Sequence, residues 1–120
     1  MLPALTLVVI RCRDIAISKR FYEALGLRFI AEQHDSGPKH WSCALGPAVI
    51  ELYPSSTQAP TVGRLGFCVA SAEICVAEAL LAGGQVRDRH LGHAVLVDPD
   101  GNIVEIRTAP GADLAVPRSP

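Results

Sequence analysis

The sequence predicts an α+β fold made of two copies of one βαβββ module. Runs rich in β-branched residues alternate with two runs whose apolar residues have helical spacing, and the order βαβββ occurs twice. The two halves also align along the chain: Asp14 matches Ser71 and Gly26 matches Gly83, each pair 57 positions apart. Because one such unit cannot close its own core, the two modules are expected to pack together.

Module one is predicted to span residues 5–55. It opens with a strand at 5–12, and a helix follows at 14–25, for which Asp14 is a good N-cap and Gly26 a natural C′ residue. Three more strands are predicted, at 28–34, 40–45 and 48–54.

Module two is predicted to span residues 62–108. A strand at 62–70 leads to Ser71, which caps the second helix, and that helix ends at Gly83. The helix residues expected to face inward are Ile74, Val76, Ala77, Leu80 and Leu81. Three strands complete the module, at 85–90, 93–97 and 102–108. We expect one domain over 1–110 and a flexible tail over 111–120.

Composition limits the possible partners. The formal net charge is −1 and the sequence has no basic run, which argues against nucleic-acid and membrane partners. Hydrophobic residues make up 49% and charged residues 19%, which favours an interface in addition to a core. The apolar run 2–10 is shorter than the roughly 20 residues of a membrane span, and Arg11 and Arg13 stand where a signal-peptide cleavage site would be.

The four cysteines, Cys12, Cys43, Cys68 and Cys75, form no CxxC pair, and each lies in an apolar stretch. This usage favours a reducing, cytoplasmic compartment. Cys68 is the one candidate nucleophile, because it is predicted on the same sheet face as Arg64. No GxGxxG, GxxxxGK or GxSxG motif occurs, so dinucleotide, nucleotide and serine-hydrolase functions are not supported.

Strand alternation sorts the polar residues onto the sheet face away from the helices. The charged and aromatic members of that face are Arg11, Glu51, Tyr53, Arg64, Glu105 and Arg107. If the face is concave it forms a pocket with a few convergent polar groups, and if it is flat these are ordinary solvated side chains.

The runs DIAISKRFYEALGL and AVIELYP, with EALLAGG and DPDGNIVEI in the second half, resemble the vicinal oxygen chelate superfamily. That superfamily includes glyoxalase I, bleomycin-resistance proteins and extradiol dioxygenases. The resemblance covers residues 5–108. It implies two modules whose curved mixed sheets surround a trough, in a glyoxalase/bleomycin-resistance-like fold that a second chain usually completes as a homodimer.

The resemblance also implies four metal-ligand positions, which here hold Leu7, Glu51, Arg64 and Glu105. Leucine and arginine offer no lone pair to a metal, so two of the four positions cannot ligate. Two carboxylates alone would hold Mg²⁺ or Mn²⁺ only loosely, so no cofactor is expected. We hypothesise that Arg64 replaces the metal as a counter-ion and bridges Glu51 or Glu105 across the trough.

The remaining candidates are one tryptophan and the histidines. Trp41 either stacks on a ligand in the trough or is a half-buried core aromatic. None of His34, His40, His90 and His93 lies at a family ligand position, and His93 and His40 are the better candidates among them. A shared ion between His90 and His93 is not expected, because their spacing places them on opposite faces of a strand.

Two functions remain open for this sequence. In the first, the protein binds or sequesters a small polar or anionic molecule at a degenerate, metal-free site. Charge would come from Arg11, Arg64 and Arg107, and the other residues in contact with the ligand would be Leu7, Tyr53, Trp41 and His93. In the second, it is a lyase or isomerase of the glyoxalase I type, in which Glu51 or Glu105 moves a proton, with or without a divalent metal.

Overall fold

The computed structural model of the chain describes residues 1–55 and 59–110. The tail predicted at 111–120 lies outside the described residues. Within the described part, two helices and eight strands follow one another in the order βαβββ–βαβββ. The predicted α+β fold of two βαβββ modules is confirmed.

Module one forms a single mixed sheet with one helix. Its elements are β1 (Leu7–Cys12), α1 (Ile15–Glu23), β2 (Ile30–Glu32), β3 (His40–Leu45) and β4 (Ala48–Pro54). The strand order is β1-β4-β3-β2, with β1 parallel to β4 and the other neighbours antiparallel. Strand β2 is shorter than the predicted 28–34, and it ends at Glu32 because β3 begins opposite that residue and offers the chain beyond no partner.

Module two repeats this arrangement. Its elements are β5 (Arg64–Val69), α2 (Ala72–Leu81), β6 (Gln85–His90), β7 (His93–Val97) and β8 (Ile103–Thr108). The strand order is β5-β8-β7-β6, and β5 runs parallel to β8. The first strand of each module is therefore at the edge of its sheet and pairs with the last strand of the same module.

The helix boundaries follow from local capping. The Asp14 side chain accepts hydrogen bonds from the backbone N–H groups of Ala16 and Ile17, which satisfies donors at the start of α1. Gly26, just beyond α1, has a φ of 105°, a conformation that glycine adopts without steric cost. Ser71 caps α2 through a hydrogen bond that its Oγ accepts from the Ile74 N–H.

The inward face predicted for α2 is wrong at four of its five residues. The buried residues are Ala72, Cys75, Val76 and Ala79. Ile74 and Leu81 are instead 65% and 85% exposed. The Ser71 cap fixes the phase of the helix, and the stripe that then faces the sheet consists mostly of small side chains, which allow a close approach.

The turn between β7 and β8 connects the two modules. Asp98 Oδ2 accepts a hydrogen bond of 2.6 Å from the hydroxyl of Tyr22 on α1, and Asp100 Oδ2 accepts one of 3.2 Å from Ser18 Oγ. Burial and the adjacent Asp98 carboxylate raise the pKa of Tyr22. The Asn102 side chain accepts a hydrogen bond from the Gly63 N–H. The DPDGN segment therefore holds α1 and the start of β5 together.

The outer face of each sheet, opposite the helices, is not closed off by the other sheet. Ile10 and Leu52 on the helix side of module one are buried, whereas Leu7 on the outer side is 51% exposed. In β5 the outer residues Arg64 and Cys68 are also exposed. We call these two surfaces the module-one face and the module-two face. No helix among residues 1–55 and 59–110 is long and apolar enough to cross a membrane.

Candidate functional site

The module-two face is organised around the carboxylate of Glu105. The Nε and Nη2 atoms of Arg64 both lie 2.5 Å from its Oε2, and His93 Nε2 lies 4.0 Å from its Oε1. Strands β5, β8 and β7 are neighbours, and Glu105 pairs with Gly66 on one side and Val95 on the other. Three adjacent strands therefore bring one carboxylate between a guanidinium and an imidazole.

A shallow cavity of roughly 420 Å³ lies on this face. Its lining residues are Gly66, Phe67, Cys68, His93, Glu105, Ile106 and Arg107. Arg107 donates from Nε to Cys68 Sγ at 3.4 Å. On the same face Val95 pairs with Glu105 and Val97 pairs with Ile103 across β7 and β8, and these apolar side chains are half-buried. The module-two face therefore combines positive charge with apolar surface.

The module-one face carries a different set of groups. Arg11 lies over the ring of Tyr53, with 5.5 Å from its Cζ to the ring centroid, and the Tyr53 ring stacks on His40 at 4.2 Å. His40 Nε2 lies 3.6 Å from Glu51 Oε2. Partial desolvation, followed by the Glu51 carboxylate, raises the pKa of the Tyr53 phenol. Glu51 thus belongs to a network on its own sheet.

Two residues near the end of β2 extend this network. Glu32 Oε1 lies 3.3 Å from His40 Nε2 and 3.9 Å from His34 Nε2. Among the described residues, Glu32, His34, His40 and Glu51 bring one ligand atom each to within 4.8 Å of the others. This is a set of donors that a divalent metal ion can use.

The predicted site residues lie on two separate sheets. Arg11, Glu51, Tyr53 and Leu7 belong to the module-one face. Arg64, Glu105, Arg107 and His93 belong to the module-two face. Of the two partners considered for Arg64, the structure pairs it with Glu105. The ion pair joins neighbouring strands of one sheet, whereas the hypothesis had it bridge the trough.

Trp41 does not lie on either outer face. It pairs with Leu52 across β3 and β4, packs against the core, and has the ammonium of Lys19 on α1 at 4.4 Å from its ring centroid. In an antiparallel pair, directly opposite residues point to the same side of the sheet, and Leu52 is buried beneath the helix. The expectation that Trp41 stacks on a ligand in the trough is therefore corrected to a half-buried core position.

Sequence reasoning missed Glu32, ranked His34 below His40 and His93, and gave no partner to His40. A usable signal was present, because Glu32 and His34 are two apart and His40 begins the next strand. Residues two apart share a face of a strand, and a hairpin pairing of Glu32 with His40 places all three together. What the sequence could not provide was that register.

Several solved structures of other proteins have a fold similar to that of this chain. A glyoxalase/bleomycin resistance protein from Albidiferax ferrireducens is 23% identical with a TM-score of 0.66, over 88% of this chain and 98% of that one. A glyoxalase/bleomycin resistance protein/dioxygenase family enzyme from Burkholderia phytofirmans is 23% identical with a TM-score of 0.67, over 88% and 98%. This chain has the glyoxalase/bleomycin-resistance fold. A lactoylglutathione lyase from Agrobacterium tumefaciens shares it at 16% identity and a TM-score of 0.60, over 88% and 93%.

The predicted resemblance to the vicinal oxygen chelate superfamily is thus confirmed as a likeness of fold. No protein-family model matches the sequence, and no curated protein matches it. A glyoxalase/bleomycin-resistance fold supports many chemistries, so the activity has to be argued from the residues at the site.

The metal that this fold implies does not suit the residues at its four positions. Leu7 has no donor atom, and Arg64 places a permanent positive charge against Glu105. A cation bound between Glu51 and Glu105 would either displace the Arg64 guanidinium from Glu105 or lie close to its positive charge, which would repel it. As a set, the four positions therefore do not offer the donors that such a metal centre needs.

Proposed function

We propose that the protein binds a small anionic molecule on the module-two face and holds no metal at the family position. The observation that carries the proposal is the Arg64–Glu105 ion pair, which occupies two of the four positions that the family resemblance implies for metal ligands. A fixed guanidinium supplies at that point the positive charge that a metal would otherwise supply.

The charge balance of the face favours an anion over a cation. Arg64 pairs with the Glu105 carboxylate, and Arg107 and His93 line the same cavity as Glu105. Glu105 engages the Nε and Nη2 atoms of Arg64, and a guanidinium has five N–H donors, so others remain for a ligand. The Arg64 side chain is 62% exposed and therefore within reach of a ligand.

The ligand we infer also has an apolar part. Val95, Val97 and Ile103 are half-buried beside Glu105 and offer an apolar wall. Binding sites of this kind combine an apolar wall with a few polar groups that fix orientation. A small carboxylate, phosphate or sulfonate with an aliphatic or aromatic body matches both features.

We further propose that a second copy of the chain closes the site in a homodimer. The exposed apolar residues Leu5, Leu7 and Val62 lie in or just before β1 and β5, the edge strands of the two sheets. The free thiols fit a cytoplasmic protein.

A second candidate function is a proton-transfer lyase or isomerase of the glyoxalase type. The observation that favours it is the position of Glu105, whose Oε1 faces His93 while Oε2 faces Arg64. In such a reaction the Glu105 carboxylate would take a proton from a carbon next to a carbonyl, and Arg64 would stabilise the resulting enolate oxygen. Metal-independent turnover of a hemithioacetal that is lost in Glu105→Gln would favour this function over binding alone.

The test of the binding proposal compares anions with uncharged analogues of the same shape. Thermal unfolding is followed with a panel of small carboxylates, phosphates and sulfonates, each beside its amide or ester. We expect anions to raise the unfolding temperature of the wild type and of Arg28→Gln, an exposed arginine outside the module-two face, but not of Arg64→Gln. Equal stabilisation of both variants would contradict the proposal.

A further inference from the structure

We propose that Glu32, His34, His40 and Glu51 of module one together bind one divalent transition-metal ion, with Zn²⁺ the best fit. Their four ligand atoms all lie within 4.8 Å of one another. Tetrahedral Zn²⁺, with bonds of about 2.0–2.2 Å, places its ligand atoms roughly 3.3–3.6 Å apart, so small shifts would close the set. This site lies within one module and shares only Glu51 with the four family positions.

His40 is the fixed centre of the site. Its side chain is 1% exposed, and its Nδ1 lies 3.2 Å from the carbonyl oxygen of Pro38. Because a carbonyl oxygen only accepts, Nδ1 carries the hydrogen and Nε2 is directed at the carboxylates. A metal-binding histidine is typically held in this way, by a hydrogen bond from its other nitrogen to a carbonyl or carboxylate.

The two carboxylates converge on that same nitrogen. Glu32 Oε1 lies 3.3 Å and Glu51 Oε2 lies 3.6 Å from His40 Nε2. Two carboxylates directed at the lone pair of one imidazole nitrogen form a set of donors that a single metal ion can ligate. The Tyr53 hydroxyl lies 3.4 Å from the same Nε2, and a metal ion bound there would replace this weak contact.

His34 completes the set from the solvent side. It follows β2, its side chain is 70% exposed, and its ring lies 5.0 Å from that of His40. A metal ion can therefore reach the site without opening the core. Two imidazoles with two carboxylates suit Zn²⁺ better than Mg²⁺ or Ca²⁺, which prefer oxygen ligands alone.

The proposal predicts stoichiometric metal binding that depends on module one. Purified protein is stripped with a chelator and titrated calorimetrically with Zn²⁺, and Co²⁺ is used as a probe because its visible absorption reports tetrahedral coordination. We expect one ion per chain. Loss of groups that only support a metal ligand already weakens binding about 10–100-fold, so His34→Ala and Glu32→Gln should each weaken it at least as much.

Three control variants locate the ion. His90→Ala removes another exposed histidine that has a carboxylate partner, Asp88, and should bind as the wild type does. Glu105→Gln and Arg64→Gln alter the family positions and should also leave Zn²⁺ affinity unchanged. Because His40 is buried and His40→Ala can fail to fold, the test relies on the exposed His34 and the half-buried Glu32.

Several outcomes would overturn the proposal. One is the absence of Zn²⁺ binding, with neither a binding heat nor the visible absorption of tetrahedral Co²⁺. Equal affinity in His34→Ala and His90→Ala, or loss of binding in Glu105→Gln alone, would place the ion elsewhere. None of these results bears on anion binding through Arg64, which is measured separately and on which this inference does not rest.

Discussion

The hydroxyl of Tyr22 donates a 2.6 Å hydrogen bond to Asp98 Oδ2, and this buried contact joins the helix of module one to the last turn of module two. Asp98 also accepts hydrogen bonds from the backbone and side chain of Asn102. One carboxylate thereby shapes a turn and connects the two halves. The DPDGN motif has a structural role here.

Tyr22→Phe should destabilise the protein by about 1.5–3 kcal/mol, the usual contribution of a hydrogen bond to a charged group. Tyr53→Phe is the matched control, since it removes the other tyrosine hydroxyl, whose contact with His40 Nε2 is 3.4 Å long. Denaturant unfolding of both variants measures the difference. A cost for Tyr22→Phe no larger than that for Tyr53→Phe would mean that the contact does not hold the modules together.

Stability should fall at alkaline pH. Burial raises the pKa of Cys12 to about 11, and burial with the Asp98 carboxylate raises the pKa of Tyr22. Their contribution is complete below the pKa values of the unfolded chain. As pH rises past about 8.5 for the thiol and 10 for the phenol, the unfolded chain loses protons that the native protein keeps, so the unfolding free energy decreases.

The measurement for this prediction is the unfolding free energy between pH 8 and 11 for the wild type and Tyr22→Phe. Each group that ionises only in the unfolded chain adds a slope of about −1.4 kcal/mol per pH unit. We expect Tyr22→Phe to have the shallower decline above about pH 10. Parallel curves for the two proteins would contradict the assignment.

Gly84→Ala should destabilise the contact between the modules. A Cβ added at Gly84 would lie 2.5 Å from Cε1 of Phe21, a fully buried ring of α1. Forcing an extra methyl into a packed core typically costs about 1–3 kcal/mol. At Gly66 an added Cβ meets nothing within 4 Å, so Gly66→Ala is the control and should change stability little. Equal unfolding midpoints for the two variants would show that the Phe21 ring can move aside without a loss of stability.

One thiol should react with a disulfide reagent much faster than the other three. Cys68 is exposed, whereas Cys12, Cys43 and Cys75 are buried. Burial also raises the pKa of Cys12 and Cys75, which lowers the fraction of reactive thiolate. Timed titration of the native protein should give one fast equivalent that Cys68→Ser removes. Two or more fast equivalents would mean that the core opens readily.

Glu105→Gln should strengthen anion binding on the module-two face. The substitution keeps the shape of the side chain but removes the negative charge that pairs with the Arg64 guanidinium in the wild type. Removing a like charge beside an anion site favours the anion. Titration of the same anion into the wild type and Glu105→Gln measures the change. Weaker binding in the variant would indicate that Glu105 itself accepts a hydrogen bond from the ligand.

The order of elements could be predicted from sequence because strand alternation and capping residues are local signals. Strands β6 and β7 have the predicted bounds, and Ser71 caps α2 as expected. The inward face of α2 could not be assigned from apolarity, because small residues fill the contact with the sheet while Ile74 and Leu81 remain exposed.

The only features of the site that could be predicted are those that follow from the alternation of residues along a single strand. The outer-face positions of Glu51 and Glu105 follow from alternation along β4 and β8. The grouping of Glu32 and His40 depends on which residues pair across a hairpin, and the placement of the two faces on separate sheets depends on tertiary packing. Neither the hairpin register nor the packing of the two sheets can be inferred from the alternation of residues along one strand.

The most direct measurement of the central claim is a calorimetric titration of the most stabilising anion into the wild type, Arg64→Lys and Arg64→Gln. A hydrogen bond to a charged group contributes about 1.5–3 kcal/mol, so Arg64→Gln should weaken binding by roughly 10–150-fold. Arg64→Lys should fall between the two, because it keeps the charge but loses the planar fork. The same dissociation constant in all three proteins would contradict the claim that Arg64 binds the ligand.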